Sequence, residues 1–190
     1  MEFLKLRTKL VCDLGSEQPR EMDKFTPEKR SKIMSAIRSR DTLPEIVIRK
    51  WLFAHGFRFR VCDKKIVGHP DIVLRKYRTL IEIRGCFWHR HGWTWDGRKL
   101  VQETDCPQAT VPKSNWAFWN EKFRKNVRRD LEHERLWREQ GWNVIVIWEC
   151  DLKTVAAREE TFARLKMRLR SPSGGGQPPR QIFSRSMKCS

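Results

Sequence analysis

The chain has 190 residues, a length that suits one domain with a core that needs no covalent staples. Forty Lys and Arg against 23 Asp and Glu give a formal net charge of +17, and a chain this basic usually binds nucleic acid. Hydrophobic residues make up 39%, too many for a disordered chain, and no apolar run approaches the roughly 20 residues that cross a bilayer. The N-terminal residues have too weak an apolar run for a secretory signal, so we expect a cytoplasmic protein with reduced cysteines.

Composition divides the chain into three parts. Residues 1–21 are nearly neutral and show no hydrophobic period, so we expect a poorly ordered N-terminal extension. Residues 170–190 are rich in Gly, Pro and Ser and are typical of a flexible tail. The folded domain is therefore expected at residues 22–169, and the basic character belongs to it.

The first helix is predicted to begin with Thr26 as its N-cap and to end near Ser39. A second helix starts at Thr42 and ends at Gly56. The remaining elements are three short strands, a long polar loop, a long amphipathic helix, a buried strand and a basic helix, at residues 57–61, 71–74, 80–83, 92–115, 116–140, 142–148 and 152–169. This order predicts a mixed α/β fold built in layers.

Two acidic residues lie on neighbouring predicted strands. Asp71 follows Pro70 at the entry to one strand, and Glu82 lies inside the next. If these strands pair as a hairpin, the two carboxylates approach one point, which is the arrangement that holds Mg²⁺ for phosphodiester hydrolysis. Arg84 points to the same face as Glu82, where a lysine would be usual. The residues resemble the P-D…(D/E)-x-K pattern of a nuclease superfamily, although on this segment alone a Pro-Asp turn and an ordinary edge strand are the more common explanation.

Three cysteines and one histidine in the second half of the domain have the composition of a closed structural zinc site. The candidates are Cys86, Cys106 and Cys150, together with His89 or His91. The alternatives are that Cys62 is a ligand, or that Cys86 and Cys150 are small buried hydrophobic residues. Bound zinc would tie the long loop to the end of the buried strand.

Longer motifs carry a resemblance to a known family. They lie at residues 30–37, 40–45, 68–71, 85–89, 118–130 and 141–150. The Gly-Cys-Phe-Trp-His run at residues 85–89 and the Trp-Glu-Cys run at residues 148–150 are the most specific of them. Over roughly residues 22–152, the chain resembles the very-short-patch-repair (Vsr) DNA mismatch endonucleases, which nick beside a T:G mismatch left by deamination of 5-methylcytosine.

The resemblance implies a catalytic role for several residues. Asp71 would ligate Mg²⁺ with the backbone carbonyl of Ile83, and Glu82 is a further candidate ligand. His89 would act as general acid and base. Glu45 would orient or support His89, although its position alone favours a capping box at the start of the second helix. Arg84 is a candidate catalytic residue because it takes the place of the basic residue in the acid-x-base pattern.

The resemblance also implies metal ligands and DNA contacts. The zinc ligands would be Cys86, His91, Cys106 and Cys150. The predicted DNA contacts are an aromatic wedge beside the mismatch, a minor-groove contact and two phosphate contacts, made by Phe87, Trp88 and Trp119, by Met34, and by Lys122 and Lys125. The stretch between His91 and Cys106 is longer than is usual in the family and carries Trp93 and Trp95.

We therefore expect a monomeric endonuclease with a PD-(D/E)XK (restriction-endonuclease-like) core, a mixed central sheet flanked by helices and one structural zinc. Its reaction would be Mg²⁺-dependent nicking of one strand at a T:G mismatch, leaving 5′-phosphate and 3′-hydroxyl ends, in the cytoplasm at the nucleoid. A MutL-type repair protein is the partner that the family implies. The alternatives are a restriction-type endonuclease on the same fold, a zinc-stabilised DNA-binding protein without catalysis, and an RNA-binding protein.

Overall fold

The structure, a computed structural model, describes residues 25–36, 40–112 and 115–170. Its helices are α1 (Pro27–Ser35), α2 (Leu43–Ala54), α3 (Trp116–Glu139) and α4 (Val155–Arg170). Its strands are β1 (Arg60–Val61), β2 (Ile72–Leu74), β3 (Thr79–Arg84), β4 (Trp93–Trp95), β5 (Leu100–Gln102) and β6 (Asn143–Trp148). The expected N-terminal extension and the tail beyond residue 170 lie outside the described residues. Within these residues, none of the helices combines the length and hydrophobicity that a bilayer crossing requires.

The central sheet has four strands in the order β1-β2-β3-β6. The pairs β1–β2 and β2–β3 are antiparallel, whereas β3 and β6 run parallel because α3 carries the chain back across the sheet. A 3-10 turn at Arg75–Tyr77 joins β2 to β3, and Arg78 closes it in the left-handed region at φ 44°. The mixed central sheet that the sequence predicts is confirmed.

Helices cover both faces of the sheet. On one face, α2 and α4 pack their apolar residues on the sheet, as Ile48, Leu165 and Ile147 illustrate. On the other face, the fully buried ring of Trp137 from α3 packs on β2, β3 and β6 and donates its indole N–H to the Val67 carbonyl at 2.7 Å. Burial on both faces explains why β6 is a nearly continuous apolar run.

Three predicted elements differ from the structure. The predicted loop at residues 92–115 contains a hairpin, because β4 and β5 pair through a turn in which the Asp96 carboxylate accepts the N–H groups of Arg98 and Lys99, each at 2.8 Å. The predicted strand at residues 57–61 keeps only its last two residues as β1. Helix α1 ends at Ser35, and residues 37–39 lie outside the described part.

Candidate active site and metal cluster

Two shielded carboxylates meet at the end of the β2–β3 hairpin. The register that pairs Ile72 with Ile81 places Asp71 opposite Glu82, so the hairpin brings the two predicted acids together. The Asp71 Oδ2 atom accepts the backbone N–H of Ile83 at 2.8 Å, and the Glu82 side chain is only 16% exposed. Asp71, Glu82 and Ile83, the three predicted Mg²⁺ ligands, therefore lie at one point.

The electrostatics of this point fit a divalent cation. Burial raises the pKa of Asp71 to about 6, with the charge of Glu45 adding to the effect and the Ile83 N–H opposing it. Burial also raises the pKa of Glu82 to about 8, and the charge of Asp71 adds to it. Two neighbouring buried carboxyl groups with raised pKa values favour a bound cation, and oxygen ligands are those that Mg²⁺ prefers.

Arg84 lies on the same face of β3 as Glu82, with its Nε atom 3.9 Å from Glu82 Oε2. Its guanidinium is not free, because Nη1 donates to Glu134 of α3 at 2.8 Å. Glu134 also pairs with Arg138 at 2.7 Å. Among the described residues, Nε and Nη2 of Arg84 have no hydrogen-bond partner. The sequence analysis missed Glu134, which fixes the guanidinium beside Glu82.

A histidine–carboxylate pair lies beside the acids. The Nδ1 atom of His89 is 2.5 Å from Oδ2 of Asp130 on α3. Burial alone would raise the pKa of Asp130, but the hydrogen bond to His89 and the positive charges around it hold that pKa below its usual value. An Nδ1–H that donates to this carboxylate leaves Nε2 as the ring atom that can exchange a proton.

The predicted support of His89 by Glu45 involves no direct hydrogen bond between the two among the described residues. Within the described residues, the Glu45 carboxylate accepts from the Thr42 hydroxyl at 2.8 Å, the Asp41 N–H at 3.2 Å and Arg49 Nη2 at 3.0 Å, and no hydrogen bond joins it to His89. Glu45 thus closes the start of α2, as the capping alternative predicted. Asp130 orients His89 instead, while Glu45 acts on the site through its charge near Asp71.

A cysteine–histidine cluster lies at the end of β6. One ligand atom from each of Cys86, His91, Cys106 and Cys150 falls within 4.8 Å of the other three. The Nδ1 atom of His91 is 3.8 Å from Cys86 Sγ and 3.2 Å from Cys150 Sγ. Zinc–sulfur bonds of about 2.3 Å in a tetrahedron separate the sulfurs by about 3.8 Å, so the set fits a closed metal site. His89 and Cys62, the alternative ligands, lie outside this cluster.

The predicted wedge residues form one aromatic cluster. The ring centroid of Phe87 lies 5.0 Å from that of Trp88 and 5.2 Å from that of Trp119. The Lys122 ammonium lies 5.0 Å from the Trp88 ring centroid. Trp119 is 9% exposed, whereas its neighbour Phe118, which the sequence analysis did not select, is 52% exposed.

The two remaining predicted DNA contacts are Lys125 and Met34. Lys125 is 75% exposed and pairs with Glu121 at 3.4 Å. Met34 lies in α1, but its side chain lies outside the described part of the structure.

The mixed sheet, the two shielded carboxylates and the paired histidine fit a nuclease. The family model "DNA mismatch endonuclease Vsr" matches residues 22–95. The chain is 46% identical over 143 residues to "Type II nicking enzyme V.NmeAIP" of Neisseria meningitidis serogroup A, covering 75% of this chain and 93% of that one. It is 40% identical over 124 residues to "DNA mismatch endonuclease Vsr" of Escherichia coli K12, covering 65% and 71%. The chain belongs to the Vsr family and is a DNA endonuclease.

Proposed function

We propose that the protein nicks one strand of duplex DNA beside a T:G mismatch in a Mg²⁺-dependent reaction. The observation that carries the proposal is the convergence of Asp71 and Glu82 beside the His89–Asp130 pair. The names of two relatives, a mismatch endonuclease and a nicking enzyme, support the same activity.

Asp71, Glu82 and the carbonyl of Ile83 would hold the Mg²⁺ ion. When bound there, Mg²⁺ polarises the scissile phosphate and lowers the pKa of a coordinated water. His89, oriented through Nδ1 by Asp130, moves a proton at Nε2. Water attacks phosphorus and the bond to the 3′ oxygen breaks, so the products carry 5′-phosphate and 3′-hydroxyl ends. Arg84, held by Glu134, positions Glu82 through its charge.

The aromatic cluster of Phe87, Trp88 and Trp119 supports mismatch recognition. A mismatched step costs less to unstack than a matched one, so rings inserted there discriminate between the two. Lys122 and Lys125 would contact phosphates beside the wedge, and Met34 would contact the opposite groove. We propose that zinc fills the cysteine–histidine cluster in a structural role, and that the protein is a cytoplasmic monomer with a MutL-type partner.

The test is nicking of a labelled duplex with one T:G pair against its T:A control, with and without added Mg²⁺. We expect a single nick in the T:G duplex that requires Mg²⁺ and disappears in Asp71→Asn, while DNA binding remains. Glu159→Gln, which alters an exposed carboxylate of α4, is the matched control and should keep full activity. Full activity of Asp71→Asn would contradict the proposal, and equal cutting of both duplexes would favour the restriction-type alternative.

A further inference from the structure

The β4–β5 hairpin is firmly anchored at both ends. Its strands lie between His91 and Cys106, two members of the metal cluster. Arg90, which is fully buried, donates through Nη1 to the carbonyls of Ala109 and Thr110, at 3.0 Å each, and stacks on Trp93 with its Cζ atom 4.6 Å from the ring centroid. The hairpin is therefore a rigid arm of the fold, and nothing described so far gives it a role.

Strand β4 of this hairpin places Trp95 against α3. The ring centroid of Trp95 lies 5.2 Å from the Cζ atom of Arg124 and 5.5 Å from that of Arg128. Arg124 and Arg128 are four residues apart and so lie on one face of the helix. A guanidinium stacked on an aromatic ring keeps its in-plane N–H groups free to donate.

These guanidiniums have few partners of their own. Arg128 forms no ion pair with any residue that the structure describes, and the Nε atom of Arg124 is buried with no hydrogen-bond partner among those residues. The ion pair of Arg124 with Glu121 is long, at 3.7 Å. One buried donor without an acceptor, beside an exposed guanidinium that forms no ion pair with a described residue, favours binding of an anion.

The surrounding surface is strongly basic. Residues 122–129 contain five cationic side chains and no acidic one. An open cavity of about 460 Å³ lies between Trp95, Lys125, Arg128, Arg129, Leu131 and Glu132. Arg98 and Lys99 in the hairpin turn are also exposed. The arm and the helix together form a groove whose lining has three cationic side chains and one acidic one, Glu132.

We propose that this groove, lined by Trp95 and Arg128 and bordered by Arg124 through its contact with Trp95, is a second DNA-contact surface that binds the phosphodiester backbone away from the nicked step; the proposal rests on the proposed function. Arg128 follows Trp119 of the wedge by nine residues on the same helix. At 1.5 Å per residue this separation is about 13.5 Å along the helix axis. The groove therefore lies apart from the wedge, and we expect it to hold a flank of the same duplex.

The occupant is a phosphate rather than a base. Trp95 already contacts two cations, so it orders the guanidiniums instead of offering an unoccupied ring for stacking. The Arg128 guanidinium, which lines the open cavity, matches the oxygens of a phosphodiester group. Contacts of this kind increase affinity on every sequence and position the protein without reading bases.

The test measures affinity for a T:G duplex by fluorescence anisotropy from about 50 to 200 mM salt. The logarithm of the association constant falls linearly with the logarithm of the salt concentration, and each lost phosphate contact makes this slope shallower by about 0.9. Between the two salt concentrations, wild type should therefore lose about 3.5-fold more affinity than Arg128→Ala. The double variant Arg124→Ala/Arg128→Ala should lose about two such contacts. Arg170→Ala, at the exposed end of α4 on the opposite face of the sheet, is the matched control and should keep the wild-type slope.

Two further experiments test whether the groove binds the DNA backbone. Trp95→Phe, which keeps an aromatic ring, should retain the wild-type slope, whereas Trp95→Ala should resemble the arginine variants. Shortening the DNA flank that lies over the groove should remove the difference between wild type and Arg128→Ala, and both flanks are tested in turn. A wild-type slope in the double arginine variant would overturn the inference. Because the slope measures binding alone, failure of nicking would contradict only the proposed function.

Discussion

Replacing Glu82 by Gln should stabilise the protein in the absence of added Mg²⁺, although it removes a proposed metal ligand. The Glu82 carboxyl has a pKa of about 8 in the folded chain, against an ordinary value of 4.5, because it is buried beside Asp71. At pH values above 4.5, the Glu82 carboxyl ionises freely in the unfolded chain. In the folded chain it either keeps its proton or carries an unfavourable buried charge.

The sign and size follow from this shift. Because the folded state binds more protons than the unfolded state, the free energy of unfolding falls as pH rises from about 4.5 to about 8. With these two pKa values, Glu82 destabilises the metal-free site by about 1 kcal/mol at pH 5 and about 3 kcal/mol at pH 7. Glu82→Gln cannot ionise, so its advantage over wild type should grow by about 2 kcal/mol between these pH values.

The assay is urea denaturation of both proteins at pH 5, 6 and 7 without added Mg²⁺, compared at equal m-value. Any change in packing caused by the amide is the same at each pH and cancels in the comparison. Added Mg²⁺ should then stabilise wild type more than Glu82→Gln, because only the carboxylate attracts the ion. A stability difference that stays constant or shrinks as pH rises would refute the reasoning.

Three other changes test separate parts of the structure. Asp130→Asn should slow nicking by at least about 100-fold with DNA affinity retained, because His89 loses the carboxylate that orients it; a loss under tenfold in single-turnover rate would contradict that role. Cys106→Ala should lower the zinc content found by elemental analysis and lower the melting temperature, and an unchanged zinc content would exclude it as a ligand. Gly92→Ala should lower the free energy of unfolding in urea by at least about 2 kcal/mol, because Gly92 has φ +82° and a Cβ there would overlap a backbone carbonyl. Gly97 also has a positive φ but faces open space, so Gly97→Ala should cost about 1 kcal/mol. Equal losses in the two variants would contradict this reasoning.

Features set by local sequence were predictable. Thr42 caps α2 and Gly141 follows the end of α3, so both helices have nearly their predicted bounds. The apolar run of β6 identified a strand buried on both faces. The proximity of the Asp71 and Glu82 carboxylates could be predicted because both residues lie on one hairpin with a short turn.

Features set by packing between distant elements were not found. Asp130 and Glu134 lie 41 and 50 residues along the chain from His89 and Arg84, the residues that they fix. Their spacing of four residues on α3, continuing from Asn126, places three polar groups on one helix face, which was the available signal. The hairpin had a stronger signal that was overlooked, since an Asp-Gly pair at residues 96–97 follows the alternating Trp-Thr-Trp of β4.

The cysteine–histidine cluster links the proposed catalytic and DNA-binding residues through the order of its members along the chain. Cys86 and His91 enclose the wedge residues 87–88 and His89, while His91 and Cys106 enclose the hairpin. The short loop itself has little regular structure, with backbone bonds from His89 N–H to the Gly85 carbonyl at 3.1 Å and from His91 N–H to the Cys86 carbonyl at 3.0 Å. A metal bound by all four residues would therefore fix residues 87–88, His89 and the hairpin against β6 at once.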